Sequence, residues 1–307
     1  MIGALIDAVV ERILAAVPDA ARDSARRPAK RLRARLTLGA WALGDGADTA
    51  SAIDAAAIVE LLHLASLLHD DVIDDSDTRR GFPALQHVIG KEAAVVTGIS
   101  IVTAAYDVAW QLGEPAAWRV SSCAATLAEG EILDCDRAFD AEFGFENYLV
   151  VARKKTGALF ALACWLGGYA ANLDDKDCAK LYRFGESLGI AYQVADDCAD
   201  FRADKAAGKP CGIDWAAGVY GAPILLALAR ETPPAHELRR FLHRYSFVPD
   251  ELSLVGELVV QAGGFTEAAA KVDELVARAA AELGTELGSR DRSGVLAGVS
   301  TDIGALL

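Results

Sequence analysis

The stretch HLASLLHDDVIDDSDTRRG, from His63 to Gly81, carries the most informative pattern in the sequence. Asp70 and Asp74 are four residues apart and Asp71 and Asp74 are three apart, so an α-helix brings these carboxylates to one face. Like charges at that spacing repel each other unless a cation lies between them. Because Mg²⁺ takes one or two carboxylates and fills its remaining positions with water and phosphate oxygens, the stretch predicts a magnesium site at a helix end.

The same D-D-x-x-D pattern recurs as Asp196, Asp197 and Asp200, within YQVADDCAD. Chance would place two copies in a chain of this Asp content only about 2% of the time. The alternative is a pair of solvated acidic helix ends, but such ends seldom repeat a pattern behind two apolar helices. The repeat therefore favours two separate metal-binding clusters.

Composition limits the partners and the fold class. The chain has 307 residues, of which 53% are hydrophobic, and a net charge of −14. An acidic chain repels the phosphate backbone, which disfavours nucleic acid as a partner, and any site for an anionic substrate must be locally basic or loaded with metal. Helix-forming residues recur at a 3.6 period and no Pro/Gly/Ser-rich linker interrupts them, so the sequence predicts one all-α domain over residues 1–307.

The same periodicity predicts the helix boundaries. Helices are expected at residues 3–17, 20–43, 50–76, 90–112, 115–137, 145–171, 174–202, 216–231, 234–244, 249–262, 265–287 and 291–304. Residues 93–105 are rich in β-branched side chains and could form a strand by propensity, but no partner strand is evident nearby. Loops are expected at 78–86, 203–214 and 288–293.

Several features predict a cytoplasmic protein. The six cysteines form no C-x-x-C pair and have no histidine cluster beside them, which disfavours zinc and predicts reduced thiols. Asp7, Glu11 and Arg12 interrupt the apolar N-terminus, unlike the core of a signal peptide. The most lipid-like stretch, residues 157–171, falls short of the ~20 residues that a spanning helix needs. We therefore expect no transmembrane segment.

The acidic stretches and the blocks around them resemble the trans-isoprenyl (polyprenyl) diphosphate synthase family, and above all its medium- and long-chain members. The blocks, in family order, are PAKRLRAR (28–35), HLASLLHDDVIDDSDTRRG (63–81), EGEILD (129–134), YLVVARKKTGALF (148–160), YQVADDCADF (192–201) and GKPCGIDW (208–215). The resemblance implies the isoprenoid synthase fold, a single large helical bundle around a central cavity.

The resemblance also implies an activity. Family members ionise an allylic diphosphate, join isopentenyl diphosphate to it, and release a proton, which the departing diphosphate is thought to take. Mg²⁺ held between the diphosphate and the carboxylates stabilises the charge that develops as the C–O bond breaks. The implied metal ligands are Asp70, Asp71, Asp74, Asp196, Asp197 and Asp200.

The implied substrate contacts fall into three groups. Arg79 and Lys155 add fixed positive charge beside the allylic diphosphate, and Thr156 and Gln193 turn oxygen atoms towards the carbocation. The implied ligands of the homoallylic diphosphate are Lys30, Arg31, Arg80 and Gln86. For each cation the alternative is a solvated surface charge, and it is strongest for Lys30 and Arg31, because five other arginines make that segment basic. His87, next to Gln86, is the alternative for that position.

Two departures from the family pattern stand out. The Gly-Asp pair that usually follows the first motif is Gly98-Ile99 here, and a common Gly-Lys-x-Thr-x-Pro pattern after the second motif reads GVYGAP, residues 218–223. Losing both the Lys and the Thr removes phosphate-side contacts. The alternatives are a class I terpene cyclase, which usually carries a different second motif, and a non-catalytic partner subunit, which typically lacks aspartates in one motif.

Assembly and product length can also be predicted. Several helices are apolar on more than one face, which together with the resemblance predicts a homodimer. Ala65 and Ser66, five and four residues before Asp70, are small where short-chain synthases carry an aromatic residue, so we expect a product of C20 or longer. Tyr106 or Trp110 could instead close the tunnel lower down. Transient membrane contact could accompany product release.

Overall fold

The computed structural model describes residues 2–45, 48–200, 218–243 and 249–307, with the backbone alone described at residues 200 and 249–253. Within these ranges the regular structure is helical apart from one short hairpin. The predicted all-α class is confirmed. The predicted loop at 203–214, the block GKPCGIDW and Cys211 lie outside the described residues, and none of the other five cysteines forms a disulfide with another.

The helices of the described ranges, in chain order, are α1 (Ile2–Ala16), α2 (Arg22–Arg26), α3 (Leu32–Trp41), α4 (Thr49–Ile73), α5 (Gln86–Ile89), α6 (Lys91–Leu112), α7 (Glu114–Asp136), α8 (Phe145–Ala152), α9 (Ala158–Ala170), α10 (Asp175–Asp200), α11 (Ala222–Leu228), α12 (Pro233–Leu242), α13 (Pro249–Gln261), α14 (Gly264–Gly288) and α15 (Val295–Gly304). A 3₁₀ turn (Asp19–Ala21) precedes α2, and a π-helical turn (Arg153–Gly157) joins α8 to α9. The hairpin pairs β1 (Thr78–Arg79) with β2 (Phe82–Pro83).

The residues group into two compact units. The first comprises Met1–Leu127, Leu159–Gly185 and Glu282–Val299, and the second comprises Ala128–Ala158, Glu186–Ala281 and Ser300–Leu307. Each aspartate-rich motif belongs to a different unit. The single domain over residues 1–307 stays a prediction.

The core of the first unit is built on α4. Asp48 starts this helix, because its carboxylate accepts the Ser51 N–H at 3.0 Å. Residues 55–62 of α4 are almost entirely removed from solvent, and α1, α3 and α6 pack against the helix. Burial of this Ala- and Leu-rich stretch holds the helix in place, and its C-terminal end carries the first aspartate-rich motif.

The helix predicted at 20–43 is wrong as one element. It is divided into α2 and α3, with residues 27–31 between them. Pro28 cannot donate a backbone hydrogen bond, and Arg31 adopts a left-handed backbone with φ 47° and ψ 44°. The break therefore places Arg31 at the start of α3 instead of on its side.

Other boundaries differ for local reasons. The helix predicted at 50–76 ends at Ile73, and the one predicted at 145–171 contains the π-helical turn. The helix predicted to start at 216 begins at Ala222 and the one predicted to start at 291 begins at Val295, because Gly218 and Gly294 precede them with φ 87° and φ 65°. Residues 93–105 are helical, as predicted.

Two helices, α4 and α6, are long and apolar enough to cross a membrane by length and composition. Residues 157–171, which the sequence marks as most lipid-like, do not form such a helix. The apolar window of α4 is 67% buried inside the protein, as expected of a core helix, whereas the window of α6 is only 33% buried. The exposed apolar side of α6 therefore needs another explanation.

Candidate active site

The first aspartate cluster lies at the C-terminal end of α4. Asp71 is almost completely buried, and Arg79 donates to its Oδ1 from Nε at 2.7 Å and from Nη2 at 2.5 Å. The β1–β2 hairpin turns the chain back so that Arg79 reaches α4. Asp70 is half-buried and Asp74 is exposed. Arg79 thus lies directly beside the cluster.

A group of arginines lies further back along α4, around Glu60, which is 11 residues or about three helical turns before Asp71. Glu60 is buried, and its two carboxylate oxygens accept from Arg31 Nη1 at 3.0 Å and from the Ala34 N–H at 3.1 Å. Arg31 also donates to the Ala25 carbonyl at 2.5 Å. Partial burial and the charge of Arg31 lower the pKa of Arg80, and Glu60 opposes that shift. These guanidinium groups are therefore crowded around one carboxylate.

The pKa of His63 shows that positive charge is concentrated in this region. Burial, followed by the charges of Arg33, Arg80 and other arginines, lowers the pKa of His63 well below its usual value. Its imidazole is therefore neutral at pH 7. Such a concentration of positive charge in an acidic protein suits an anionic ligand.

The remaining implied ligands of the homoallylic diphosphate differ in exposure. Lys30 is exposed at the start of α3. Gln86 is buried, its Nε2 donates to the Ser76 carbonyl at 3.0 Å, and its Oε1 has no partner among the described residues. His87, the alternative, approaches the same carbonyl at 3.2 Å. The amide of Gln86 thus fixes the loop after the aspartate motif.

In the second unit, the π-helical turn presents Lys155 to two carboxylates of α7. Its Nζ lies 2.8 Å from Glu131 Oε2 and 2.5 Å from Asp134 Oδ2. Burial opposes the charge on Lys155, but Asp134 and Glu131 outweigh it and raise the pKa of the ammonium. Burial likewise opposes ionisation of Asp134, but Lys155 and Arg137 lower its pKa below the usual range. Both groups are charged.

Thr156, the next residue, points to a different partner. Its Oγ1 donates to Gln193 Oε1 at 2.6 Å, and Gln193 Nε2 donates to Asp197 Oδ1 at 2.8 Å. The N–H of Ala222 donates to the other oxygen, Oδ2, also at 2.8 Å. Three implied site residues, Thr156, Gln193 and Asp197, therefore form one hydrogen-bonded chain.

Asp197, in the second cluster, has a shifted pKa. Burial raises its pKa to about 6, although the Tyr148 hydroxyl, the Ala222 N–H and Gln193 act in the opposite direction. Tyr148 is buried, and its hydroxyl makes no hydrogen bond of good geometry. Asp196 is exposed, and the side chain of Asp200 lies outside the described residues.

The chemistry of both clusters fits a hard divalent cation. Within the described ranges, no three Asp, Glu, His or Cys side chains come close enough to enclose a metal ion by themselves. Mg²⁺ does not require such a cage, because one or two carboxylates suffice when phosphate oxygens complete the shell. Asp71 and Asp197 also retain lone pairs, since a carboxylate can accept about four hydrogen bonds.

Sequence reasoning did not assign roles to the carboxylates that hold these cations. Glu131 and Asp134 lie in the block EGEILD, which was noted only for its resemblance, and Glu60 lies in the apolar part of α4. Glu60 is recognisable as a single acidic residue in an apolar stretch, whereas Glu131 and Asp134 belong to an acidic run at the end of α7. Their partners are 21 to 29 residues away in the chain and cannot be deduced from local spacing.

Comparisons with known proteins agree with the implied family. A family model described as "Polyprenyl synthetase" matches residues 15–253. A nonaprenyl diphosphate synthase from Mycobacterium tuberculosis is 33% identical over 66% of this chain and 60% of the relative. The "heptaprenyl diphosphate synthase component 2" of Bacillus subtilis is 36% identical over 56% of this chain and 50% of the relative. The chain thus spans between half and three fifths of the length of these curated relatives.

A solved structure extends the likeness over the whole chain. It is a polyprenyl synthase from Caulobacter crescentus, complexed with calcium and isoprenyl diphosphate. Its TM-score is 0.81 at 29% identity, and the match covers 99% of this chain and 89% of that one.

We predict that Asp197→Asn changes how stability depends on pH. The unfolded chain releases the Asp197 proton near pH 4, whereas the folded protein keeps it until pH about 6. Stability from this group is therefore present at low pH and is lost as the pH rises through that window. The melting temperature of the wild type should fall relative to that of the variant between pH 4 and pH 6.5. Parallel curves would contradict the shift, and Asp273→Asn, at an exposed position on α14, is the control.

Proposed function

The chain belongs to the polyprenyl synthetase family, and on that premise we propose that it is a prenyltransferase. It condenses isopentenyl diphosphate with an allylic diphosphate to give a trans-polyprenyl diphosphate of C20 or longer. The observation that carries the proposal is the hydrogen-bonded chain of Thr156, Gln193 and Asp197, with the charged Lys155 adjacent to Thr156 in the sequence. These are four of the positions at which the family carries its reaction chemistry.

Both aspartate clusters supply metal ligands in this proposal: Asp70, Asp71 and Asp74 in the first motif, and Asp196, Asp197 and Asp200 in the second. Bound Mg²⁺ supplies Lewis-acid stabilisation of the charge on the leaving diphosphate. Arg79 and Lys155 add fixed positive charge that is already held in place by Asp71 and by Asp134. Because these partners orient the cations before the reaction, little reorganisation accompanies charge development.

Thr156 and Gln193 stabilise the carbocation in this mechanism. The hydroxyl group of Thr156 donates its hydrogen bond to Gln193 Oε1, so the lone pairs of the hydroxyl oxygen stay available to an electron-poor carbon. Gln193 is oriented in turn, because its Nε2 donates to Asp197. The pair therefore presents oxygen atoms and no base, and the released diphosphate takes the proton.

The homoallylic diphosphate binds to Lys30, Arg31 and Arg80, with Gln86 shaping the adjacent loop. The crowding of Arg31 and Arg80 around Glu60 supports this assignment, since a single carboxylate leaves uncompensated positive charge. A diphosphate relieves that repulsion, and the guanidinium fork matches its oxygen atoms.

We predict that the reaction requires Mg²⁺ and both clusters. Asp70→Ala and Asp196→Ala should each lower turnover by roughly 10²–10³-fold while keeping the helical circular dichroism signal, because each removes charge stabilisation from the leaving group. The assay combines isopentenyl diphosphate, each allylic primer and Mg²⁺, with chromatography of the products. Asp273→Ala on α14 is the control.

The same assay separates the alternatives. A terpene cyclase would release a hydrocarbon or alcohol from the allylic substrate alone, and a non-catalytic subunit would give no product without its partner. Near-normal turnover in either aspartate variant would contradict the two-cluster mechanism.

We predict that Ser66→Phe shortens the product. Ala65 is buried on α4, Ser66 is half-buried one helical turn before Asp70, and a ring there fills the path of the growing chain. Tyr106 and Trp110, the alternative closing residues, are 40% and 58% exposed on α6 and do not lie in the interior of their unit. Product length is read by chromatography, with Ala277→Phe on α14 as an exposed control. A wild type that stops at C15, or unchanged length in Ser66→Phe and Ala65→Phe, would contradict this account.

We further propose that the exposed side of α6 docks a second copy of the chain. The apolar residues exposed there share one face, at Val96, Ile99, Tyr106 and Trp110. Ile99 occupies the position where family members usually carry Asp, which makes the stripe more continuous. A membrane surface is the other apolar partner, but a net charge of −14 repels anionic headgroups. A cytoplasmic location and brief membrane contact at product release stay predictions.

We predict that Val96→Glu converts the dimer to a monomer, because it buries an unpaired charge at the interface. Sedimentation velocity at micromolar concentration should show a dimer for the wild type and for Val260→Glu, a matched exposed position on α13. A monomeric wild type, or a wild type that sediments with phosphatidylcholine vesicles, would contradict the proposal.

A further inference from the structure

We propose that Arg137 is a positioning residue for the second aspartate cluster, holding the first turn of α11 so that a backbone N–H fixes the Asp197 carboxylate. The inference rests on the proposed function and adds to it a residue that lies outside the family's motifs. Arg137 follows the end of α7, three residues after the EGEILD block, and its side chain is only 6% exposed.

The guanidinium of Arg137 joins two parts of the second unit. Its Nε donates to Asp134 Oδ1 at 2.5 Å, and its Nη1 donates to the carbonyl of Tyr220 at 2.7 Å in a buried position. The same group lies against the rings of Phe143 and Tyr148, at 5.4 and 5.8 Å from their centroids. The planar guanidinium contacts both oxygen atoms at once, and these two bonds restrict the orientation of the side chain.

Tyr220 is two residues before Ala222, whose N–H reaches Asp197 Oδ2 at 2.8 Å. Asp134, at the other end of Arg137, also binds Lys155. One arm therefore runs from Lys155 through Asp134, Arg137 and the backbone of residues 220–222 to Asp197. A second arm runs from the neighbouring Thr156 through Gln193 to the other oxygen of the same carboxylate. Both oxygens of Asp197 are thus held, each by a separate chain of contacts. The two chains start at Lys155 and Thr156, which are adjacent residues of the π-helical turn.

The residue Gly221 explains why the segment 220–222 needs support from Arg137. A Cβ at Gly221 would lie 2.8 Å from Asp197 Oδ2 and 2.9 Å from its Cγ, so the carboxylate occupies the space of a side chain. Family members commonly have Thr there and Lys two residues earlier, where this chain has Val219. Both polar side chains are absent here, and the described contact from this segment to Asp197 is the backbone N–H of Ala222. The methyl side chain of Ala222 makes no hydrogen bond that could hold this N–H in place.

The test compares Arg137→Met with Arg239→Met. Arg239 donates to the carbonyl of Leu228, the last residue of the same short helix α11, at 2.6 Å, so it braces the opposite end without approaching Asp197. Binding of Mn²⁺ in the presence of inorganic diphosphate is measured by electron paramagnetic resonance, together with kcat and the melting temperature. We expect Arg137→Met to weaken Mn²⁺ binding and to lower kcat by about 10- to 100-fold, as changes behind metal ligands do. Arg239→Met should lower only the melting temperature.

A second variant guards against misfolding of Arg137→Met. Gly221→Ala leaves Arg137 in place and introduces the colliding Cβ without backbone strain, since φ is −77° at this residue. It should reproduce the loss of Mn²⁺ binding. Wild-type Mn²⁺ binding in Arg137→Met, or an equal loss in Arg239→Met, would overturn the inference, and so would wild-type binding in Gly221→Ala. An inactive wild type that still shows the expected Mn²⁺ differences would overturn the proposed function and leave this inference standing.

Discussion

Three of the cations that the proposed chemistry uses are each held by a carboxylate of the same unit, and the rest of the site depends on this pairing. Arg79 lies against Asp71, Arg31 against Glu60, and Lys155 against Asp134. A buried charge is costly unless it is paired, and removing one partner leaves the other stranded. The pairs therefore do more than neutralise one another, because they fix long, flexible side chains in a single geometry before any substrate arrives.

This pairing also explains which features were accessible from the sequence. The end of α4 and the convergence of its aspartates follow from spacing alone, because residues three and four apart share a helical face. The break before α3 does not, since the left-handed backbone of Arg31 is stabilised by Glu60, which is 29 residues away. The hairpin after α4 is predicted only as a loop, and its pairing of Thr78 with Pro83 and Arg79 with Phe82 brings Arg79 to Asp71. Local sequence therefore predicts a helix across residues 20–43, whereas the pairing of Arg31 with the distant Glu60 accompanies the break before α3.

The π-helical turn shows the same dependence at the centre of the second unit. Residues 145–170 have an uninterrupted helical pattern, and no Pro marks the turn. Its effect is to direct consecutive residues to different elements, Lys155 to the carboxylates of α7 and Thr156 to Gln193 of α10. A π-helical turn of this kind is often found at functional sites, where it re-aims side chains without ending the helix. Gly130 permits the arrangement, because a Cβ there would meet the Lys155 backbone N at 2.9 Å.

Asp197 shows what remains uncompensated once all of these pairs have formed. Gln193 and the Ala222 N–H donate to its two oxygens, yet burial still raises its pKa to about 6. Neutral donors thus fall short of what the half-buried carboxylate of Asp197 requires, whereas Asp134, with Lys155 and Arg137 beside it, has its pKa lowered. The cations Lys155 and Arg137 bind to Asp134, whereas the hydrogen-bond donors to Asp197 are neutral. A divalent cation stabilises the charged form of a carboxylate more strongly when no other cation is already paired with that carboxylate. Asp197 is held in place by neutral donors and has no such cation beside it among the described contacts, which supports its assignment as a metal ligand.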